Sequence, residues 1–327
     1  MTLPPAQTPS MLAPASADAA AIAELTWVLI GVCGAVLGLV CALLIVGSLR
    51  RRDGQRVTRE TPARMPSKTG ERRTLRWVLA GGVALPLLTI SGFFAYSLRT
   101  LATTQAATPD ALTIDVVGHQ FWWDVLYRDA AGDVVTRTAN EIHVPVGRPV
   151  ELRLRSADVI HSFWVPRLQG KLDLIPGRLN TLRLRARQAG VFRGQCAEYC
   201  GLQHTRMALL VIAQPDTAFE RWLAWQRRPA LEPAPGAATR GREVFLNTTC
   251  VACHAIRGVR AEAVLGPDLT HLASRRTLGA ATVANTRGML AGWISDPHGI
   301  KPGVRMPASL LAPEELGALL EYLMGLR

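Results

Sequence analysis

The sequence predicts a multidomain membrane protein: a two-helix transmembrane hairpin, then a β-sandwich, then a small α domain. Three observations carry this. Two uncharged stretches of 25 and 22 residues lie in the first hundred positions, each longer than the roughly 20 residues that cross a hydrocarbon core. Short apolar or alternating segments with Gly and Pro between them fill positions 110–213, and helical spacings take over after a Pro-rich stretch. Of 327 residues, 49% are apolar and 19% charged, which excludes a disordered chain. Neither a Gly period nor a sustained heptad is present, so collagen-like and coiled-coil architectures are excluded too.

The first span runs from Leu25 to Leu49, between Glu24 and Arg50, and the second from Trp77 to Leu98, between Arg76 and Arg99. Residues 1–24 hold neither Lys nor Arg, and the first span outruns the apolar core of a signal peptide, so a retained anchor is expected. The loop from Arg50 to Arg76 carries ten basic residues against three acidic ones. Short basic loops stay in the cytoplasm. Both termini, and everything after Arg99, are therefore expected on the periplasmic, extracytoplasmic side of the cell membrane. More than half of the net charge of +12 belongs to this loop, which removes the main support for a nucleic-acid partner.

Strands are expected at Thr113–Val117, Glu141–Val144, Val150–Arg155, Leu179–Arg185 and Ala208–Ala213, a spacing that suits a sandwich or barrel. A short helix is expected over Thr217–Arg228, followed by the semi-rigid linker Pro229–Gly236. Further helices are expected at Arg240–Asn247, Ala281–Ser295 and Pro313–Met324. The predicted division is 1–24 (N-terminal extracytoplasmic segment), 25–99 (hairpin and basic loop), 110–213 (β domain), 214–236 (short helix and linker) and 237–327 (α domain).

The sharpest local signal is C-A-E-Y-C-G-L-Q-H-T-R-M, Cys196 to Met207, with His161 upstream in D-V-I-H-S-F. Soft sulfur and imidazole donors on a β scaffold select copper, zinc or iron. A mononuclear blue-copper site uses one Cys, so Cys196 and Cys200 are one thiolate too many for it. As bridges they would let two copper ions share one valence electron. His161 and His204 would each terminate one copper, Met207 would be a weak ligand, and the Glu198 carbonyl could serve the other ion. A Cys196–Cys200 disulfide is one alternative, which would leave His204 and Met207 at ligand spacing by coincidence. Zinc is another, but makes no use of Met207. A third takes Met207 as ordinary core.

This stretch resembles subunit II of the haem–copper cytochrome c oxidases. The resemblance covers the hairpin and runs to about residue 213, through G-H-Q-F-W-W (Gly118–Trp123), D-V-I-H-S-F-W-V-P (Asp158–Pro166), K-L-D-L-I-P-G-R-L-N (Lys171–Asn180) and G-Q-C-A-E-Y-C-G (Gly194–Gly201). It implies a cupredoxin-like β-sandwich with a binuclear CuA centre. It also implies a magnesium ion bound partly by the Glu198 side chain at the interface with subunit I. Quinol-oxidising relatives lack the copper ligands, so a cytochrome-linked donor is implied.

C-V-A-C-H, Cys250 to His254, is the c-type haem attachment pattern. Cys250 and Cys253 would form the thioethers, His254 would be one axial ligand, and a Met is expected as the other. Met306, in the K-P-G-V-R-M-P loop before the last helix, is the expected residue; Met289 and Met324, in apolar helical segments, are expected in the core. His271 is expected on the surface, and His119, His143 and His298 are expected to be structural. Cys33 and Cys41 remain, in the first span, as packing residues. Region 237–327 resembles a class I cytochrome c, including G-P-D-L (Gly266–Leu269).

The whole resembles the oxidase branch in which cytochrome c is fused to subunit II. The implied activity is that of an electron-input subunit of a proton-translocating cytochrome c oxidase. Electrons would pass from an external cytochrome or other donor to haem c, then CuA, then subunit I, where oxygen becomes water. Subunit I and subunit III are the implied partners, with Gly81, Gly82 and Ala84 offering a close-packing helix face. A free-standing membrane-anchored carrier feeding another reductase would keep both metal sites without such a partner, and a structural anchor with vestigial sites would keep neither metal. Two positions depart from the family. Phe121 stands where a Trp usually receives electrons from soluble cytochrome c, which a tethered haem at high effective concentration would make less necessary. Thr74 stands where many relatives have a Glu near a proton path, with Glu71 about one turn earlier.

Overall fold

The computed structural model describes residues 5–55, 68–104, 110–260 and 262–327. Residues 56–67 of the basic loop, among them Arg56, Arg59 and Arg64, lie outside the described residues. The chain divides into two compact units, Ala21–Ala106 and the remainder, Met1–Ala20 with Ala107–Arg327.

In the Ala21–Ala106 unit, α1 (Ala17–Gln55) contains the first predicted span, and α2 (Lys68–Leu79) and α3 (Leu85–Thr104) contain the second. Leu43, Leu44, Leu88 and Ile90 are each more than half exposed, as befits surface that hydrocarbon covers. Between α2 and α3, Ala80–Ala84 form a π turn in which the Leu85 N–H bonds the Ala80 carbonyl. The next residue, Pro86, has no N–H with which to continue the α ladder, and the wider turn absorbs the gap. A side chain at Gly81 or Gly82 would meet nothing, so those small residues lie on open surface. Cys33 and Cys41 are exposed too, not packed as expected, because a two-helix unit has little interior.

The other unit holds a sandwich of two five-stranded sheets. The strands are β1 (Leu112–His119), β2 (Trp122–Arg128), β3 (Val134–Ala139), β4 (Glu141–Pro145) and β5 (Val150–Ser156). They continue with β6 (His161–Trp164), β7 (Leu172–Leu174), β8 (Asn180–Leu184), β9 (Gly190–Cys196) and β10 (Ala208–Gln214). The sheet orders are β3-β2-β1-β5-β8 and β4-β10-β9-β6-β7. All five predicted strands are present. Of the five unmarked ones, β6 and β7 are four and three residues long, too short to display a period. Between the sheets lie Trp123, Tyr127, Phe163, Phe192 and Leu209. Residues 7–16 run along the sandwich, where Gln7 N–H donates to Val191 O (2.8 Å) and Ala15 N–H to Arg167 O (2.7 Å).

Strand β10 is apolar at consecutive positions because both its faces are covered. Leu209, Val211 and Ala213 enter the sandwich core, while Leu210 and Ile212 cluster with Ala281 from the C-terminal domain. That domain comprises α5 (Ala237–Asn247), α6 (Cys250–Cys253), α7 (Arg287–Ser295), α8 (Pro297–Ile300) and α9 (Pro313–Gly325) around Phe245, Leu290, Leu319 and Leu323. Helix α4 (Asp216–Gln226) links it to β10. The expected helix over Ala281–Ser295 begins only at Arg287, where Thr286 accepts from the Met289 N–H. Residues 277–284 instead form a small ribbon whose tip, Gly279, Ala280 and Ala281, has φ of +62°, +60° and +56°. Apolar spacing alone suggested helix there; the tip is held in the left-handed region by tertiary bonds to the sandwich.

Candidate metal centres

Strand β9 ends at Cys196 and β10 starts at Ala208, so the Cys-rich motif is the loop between two neighbouring antiparallel strands. The Cys196 N–H donates to the Met207 carbonyl (2.8 Å), closing that loop at its base. Within it the Cys196 and Cys200 sulfurs stand 3.8 Å apart. Cys200 Sγ is 3.8 Å from His204 Nδ1 and 3.9 Å from Met207 Sδ. Cys196 Sγ is 3.2 Å from the Glu198 carbonyl oxygen and 3.9 Å from Nδ1 of His161. His161 reaches the loop because β6 pairs with β9, Phe163 opposite Cys196. A disulfide would need about 2.05 Å between sulfurs, and both thiols are free. Met207 is fully buried, with its sulfur facing the thiols as well as its methylenes in the core.

The surroundings orient these donors. His161 Nε2 bonds Asp158 Oδ1 at 2.8 Å, which turns Nδ1 toward Cys196. Burial alone would raise the Asp158 pKa. Hydrogen bonds from His161 and from the backbone N–H groups of Gln120 and Val159 outweigh burial and hold it below the usual carboxylate range. Burial likewise opposes charge on His161, but Cys196 and Asp158 outweigh it and raise its pKa. Gln120 Nε2 donates to the Cys200 carbonyl at 2.6 Å. Gly118 backs the His161 ring so closely that a Cβ there would lie 2.8 Å from Cδ2. Asp158, Gln120 and Gly118 are the site residues that ligand spacing did not flag, although G-H-Q and the Asp158/His161 i,i+3 pair contain them. The hydrogen bond between the two sulfurs holds the Cys196 pKa well below the usual thiol range, while that same bond, then burial, then the charge on Cys196 push Cys200 up. The pair thus keeps one proton until a cation replaces it, which is the behaviour of a metal site built from two thiolates. The donor set fits two soft cations.

In the C-terminal domain, Cys250 and Cys253 bracket the single turn of α6, and both are free thiols. His254 Nδ1 lies 2.8 Å from the Pro267 carbonyl, leaving Nε2 for a metal. Burial lowers the His254 pKa against the opposing pull of that hydrogen bond, which favours the neutral ligand form. Gly266 is required beside it, since a Cβ would stand 2.7 Å from the His254 ring. These features fit a covalently attached haem with imidazole ligation. Met306 and Cys250 both pack against the same core, as does Met324. Met289, expected in the core, is 47% exposed on α7; its helix turns that position outward. His271, expected on the surface, is buried, with Nδ1 2.6 Å from Arg327 O and Nε2 3.1 Å from Arg228 O. Those two carbonyls come from the C-terminus and the end of the 216–226 helix, so its burial is made by segments distant in sequence. His119 stacks on Trp122, and His143 on Trp222.

A sandwich that gathers two thiols, two imidazoles and a thioether, joined to a Cys-x-x-Cys-His helical domain and to two spans, defines a membrane-anchored electron-transfer protein. Residues 130–214 match the family described as cytochrome c oxidase subunit II, periplasmic domain, and residues 238–327 match cytochrome c. Cytochrome c oxidase subunit 2 of Alkalihalophilus pseudofirmus is 33% identical over 288 residues, 87% of this chain and 80% of the relative. That of Bacillus subtilis is 34% identical over 229 residues, 67% of this chain and 63% of its own. The periplasmic domain of subunit II of the Bradyrhizobium japonicum cytochrome oxidase is 32% identical, covering 37% of this chain and 97% of that one, with a TM-score of 0.34. The chain belongs to the cytochrome c oxidase subunit II family and carries a cytochrome c domain at its C-terminal end. It is thus an electron-input subunit of a haem–copper terminal oxidase, with a copper-binding domain and a haem c domain.

Proposed function

We propose that Cys196 and Cys200 bridge two copper ions, His161 and His204 terminate one each, and Met207 and the Glu198 carbonyl complete them as weak ligands. Cys250 and Cys253 hold haem c, with His254 and Met306 as its axial ligands. Bound there, the copper pair and the haem supply reversible one-electron transfer. The chain's own work is to hold the donors rigidly. Asp158 fixes the His161 ring, Pro267 fixes the His254 ring, and the β9–β10 pairing fixes both ends of the copper loop. Burial of Cys196, Cys200 and Met207 keeps water from the donors, so little solvent has to reorganise around them.

The Glu198 side chain contributes to a magnesium site against subunit I, and subunit III completes the assembly. The basic loop is cytoplasmic, and both redox domains and both termini are periplasmic, where an external cytochrome supplies electrons. The observation that carries the reading is the 3.8 Å approach of two unlinked cysteine sulfurs with an imidazole beyond each. Elemental analysis and paramagnetic resonance of the purified chain test it. The expected result is two coppers in a mixed-valence signal and one covalent haem. A single copper, or a native cross-link between Cys196 and Cys200, overturns it.

A further inference from the structure

Five of the six residues before Met306, at 300–303 and 305, bond to or pack against the loops around the cysteine pair. Arg206 Nη1 donates to the Ile300 carbonyl at 2.8 Å. Lys301 Nζ donates to the carbonyls of Phe121 and Gly279, each at 3.0 Å. The Gln203 side-chain amide donates to Pro302 O. Gly303, with φ +84°, lies against Leu202, whose Cδ2 would be 2.3 Å from a Cβ. Arg305 donates to Gln120 Oε1, and its Nη1 is 3.8 Å from Asp158 Oδ2. The receiving residues belong to the site itself. Leu202, Gln203 and Arg206 lie between Cys200 and Met207, Gln120 also donates to Cys200 O, and Asp158 orients His161.

Two features mark this as a built junction. Lys301 is 1% exposed, and a buried amine is costly unless its donors are used; both carbonyls that receive it come from opposite sides of the junction. A second attachment lies beyond it, where buried Glu141 of β4 accepts from the N–H groups of Arg276 and Thr277 at 2.8 and 3.0 Å. Its ribbon tip is tied as well, Ala280 O accepting from Ala208 N–H (3.3 Å) and Ala281 O from Arg193 (3.1 Å). Even a semi-rigid linker such as 229–236 leaves tethered domains some freedom to reorient, and two separated attachments remove it.

We propose that residues 300–305 are a docking ligature that holds the cytochrome c domain in one position on the loops around the copper-site cysteines, with Lys301 and Arg305 as positioning residues. The relevance of this to electron transfer rests on the ligand assignments above; the docking does not. The test compares full-length Lys301→Met and Arg305→Gln proteins with the native chain in detergent. Amide hydrogen exchange at 118–123, 200–207 and 300–306 should speed up about tenfold in each, the consequence of removing one charged-donor contact. Exchange at 112–117 of β1 and in α9 should stay native and so report an intact fold. Arg305 is largely exposed, so its variant folds even if loss of Lys301 does not permit folding. In the loaded double variant, transfer from photoreduced haem to copper should slow severalfold with both spectra unchanged. Native exchange rates at all three segments in Arg305→Gln overturn the ligature, even if copper and haem are present. Absence of copper or haem from the native chain overturns the ligand assignments and leaves the exchange result to decide the docking.

Discussion

Gly118→Ala is a single methyl aimed at one imidazole. Its Cβ would sit 2.8 Å from Cδ2 and 3.0 Å from Cγ of His161, whereas unstrained carbon contacts are about 3.5–4.0 Å, so the ring has to retreat by roughly 0.7 Å. The backbone of residue 118 cannot yield, because it is paired with Trp123 on one side and Ser156 on the other. The ring has little room either: Nε2 is held by Asp158 at 2.8 Å, and the Trp123 ring centre is 6.1 Å away at a tilt. The displacement therefore falls on Nδ1, the atom that faces Cys196. Disturbing the orientation of a ligating His costs about 10–100-fold in metal affinity. Copper titration of the purified full-length variant, read by thiolate-to-copper absorption with covalent haem as internal reference, should show that loss with haem content unchanged. Native copper affinity and an unaltered spectrum in Gly118→Ala would refute the reasoning, since the ring would then be mobile or uninvolved.

Met306→Ala should convert the haem to a high-spin or differently ligated form, seen in its optical spectrum, while Met289→Ala should not; the opposite pattern would transfer the axial role to Met289. Burial lowers the His143 pKa to about 4, with Arg276 adding to the effect and the Gln214 hydrogen bond opposing it. The unfolded chain then binds more protons than the folded one between about 4 and 6.5, so stability is full above 6.5 and declines by about 3 kcal/mol as pH falls to 4. His143→Gln should flatten that decline in thermal melts of the β domain, and an unchanged slope would assign it to other groups. Gly241→Ala sets two effects against each other. Helix propensity favours Ala by about 1 kcal/mol, but its Cβ would lie 2.0 Å from the Ala318 carbonyl oxygen of α9, and overpacking of this kind costs about 1–3 kcal/mol. The cytochrome c domain should melt several degrees lower, and a higher melting point would mean that α5 and α9 separate easily.

What could be read directly from the chain is chemistry confined to neighbouring residues. Cys196, Cys200, His204 and Met207 are near in space because one short loop carries them all, and Cys250, Cys253 and His254 because one helical turn does. The two spans are equally local, since uninterrupted apolar length is all that hydrocarbon demands. The 208–213 run was legible as a strand, but that both its faces are covered, one partly by Ala281, was not.

The rest depended on which distant segments meet. Lys301, read along the chain, is one more basic residue; it is buried only because Phe121 and Gly279 offer carbonyls from two domains. His271 looked like surface and is enclosed by Arg228 and Arg327, 43 and 56 residues away. The Gly279–Ala281 tip kept an apolar helical rhythm, yet its left-handed backbone is held by bonds from Arg193 and Ala208. The sequence by itself determined donor types and their local spacing, because covalent neighbours cannot be far apart. Only the tertiary structure decided what orients the donors and what docks the domains, because burial and hydrogen-bond partners are properties of surfaces that exist only once remote strands and loops have closed on one another.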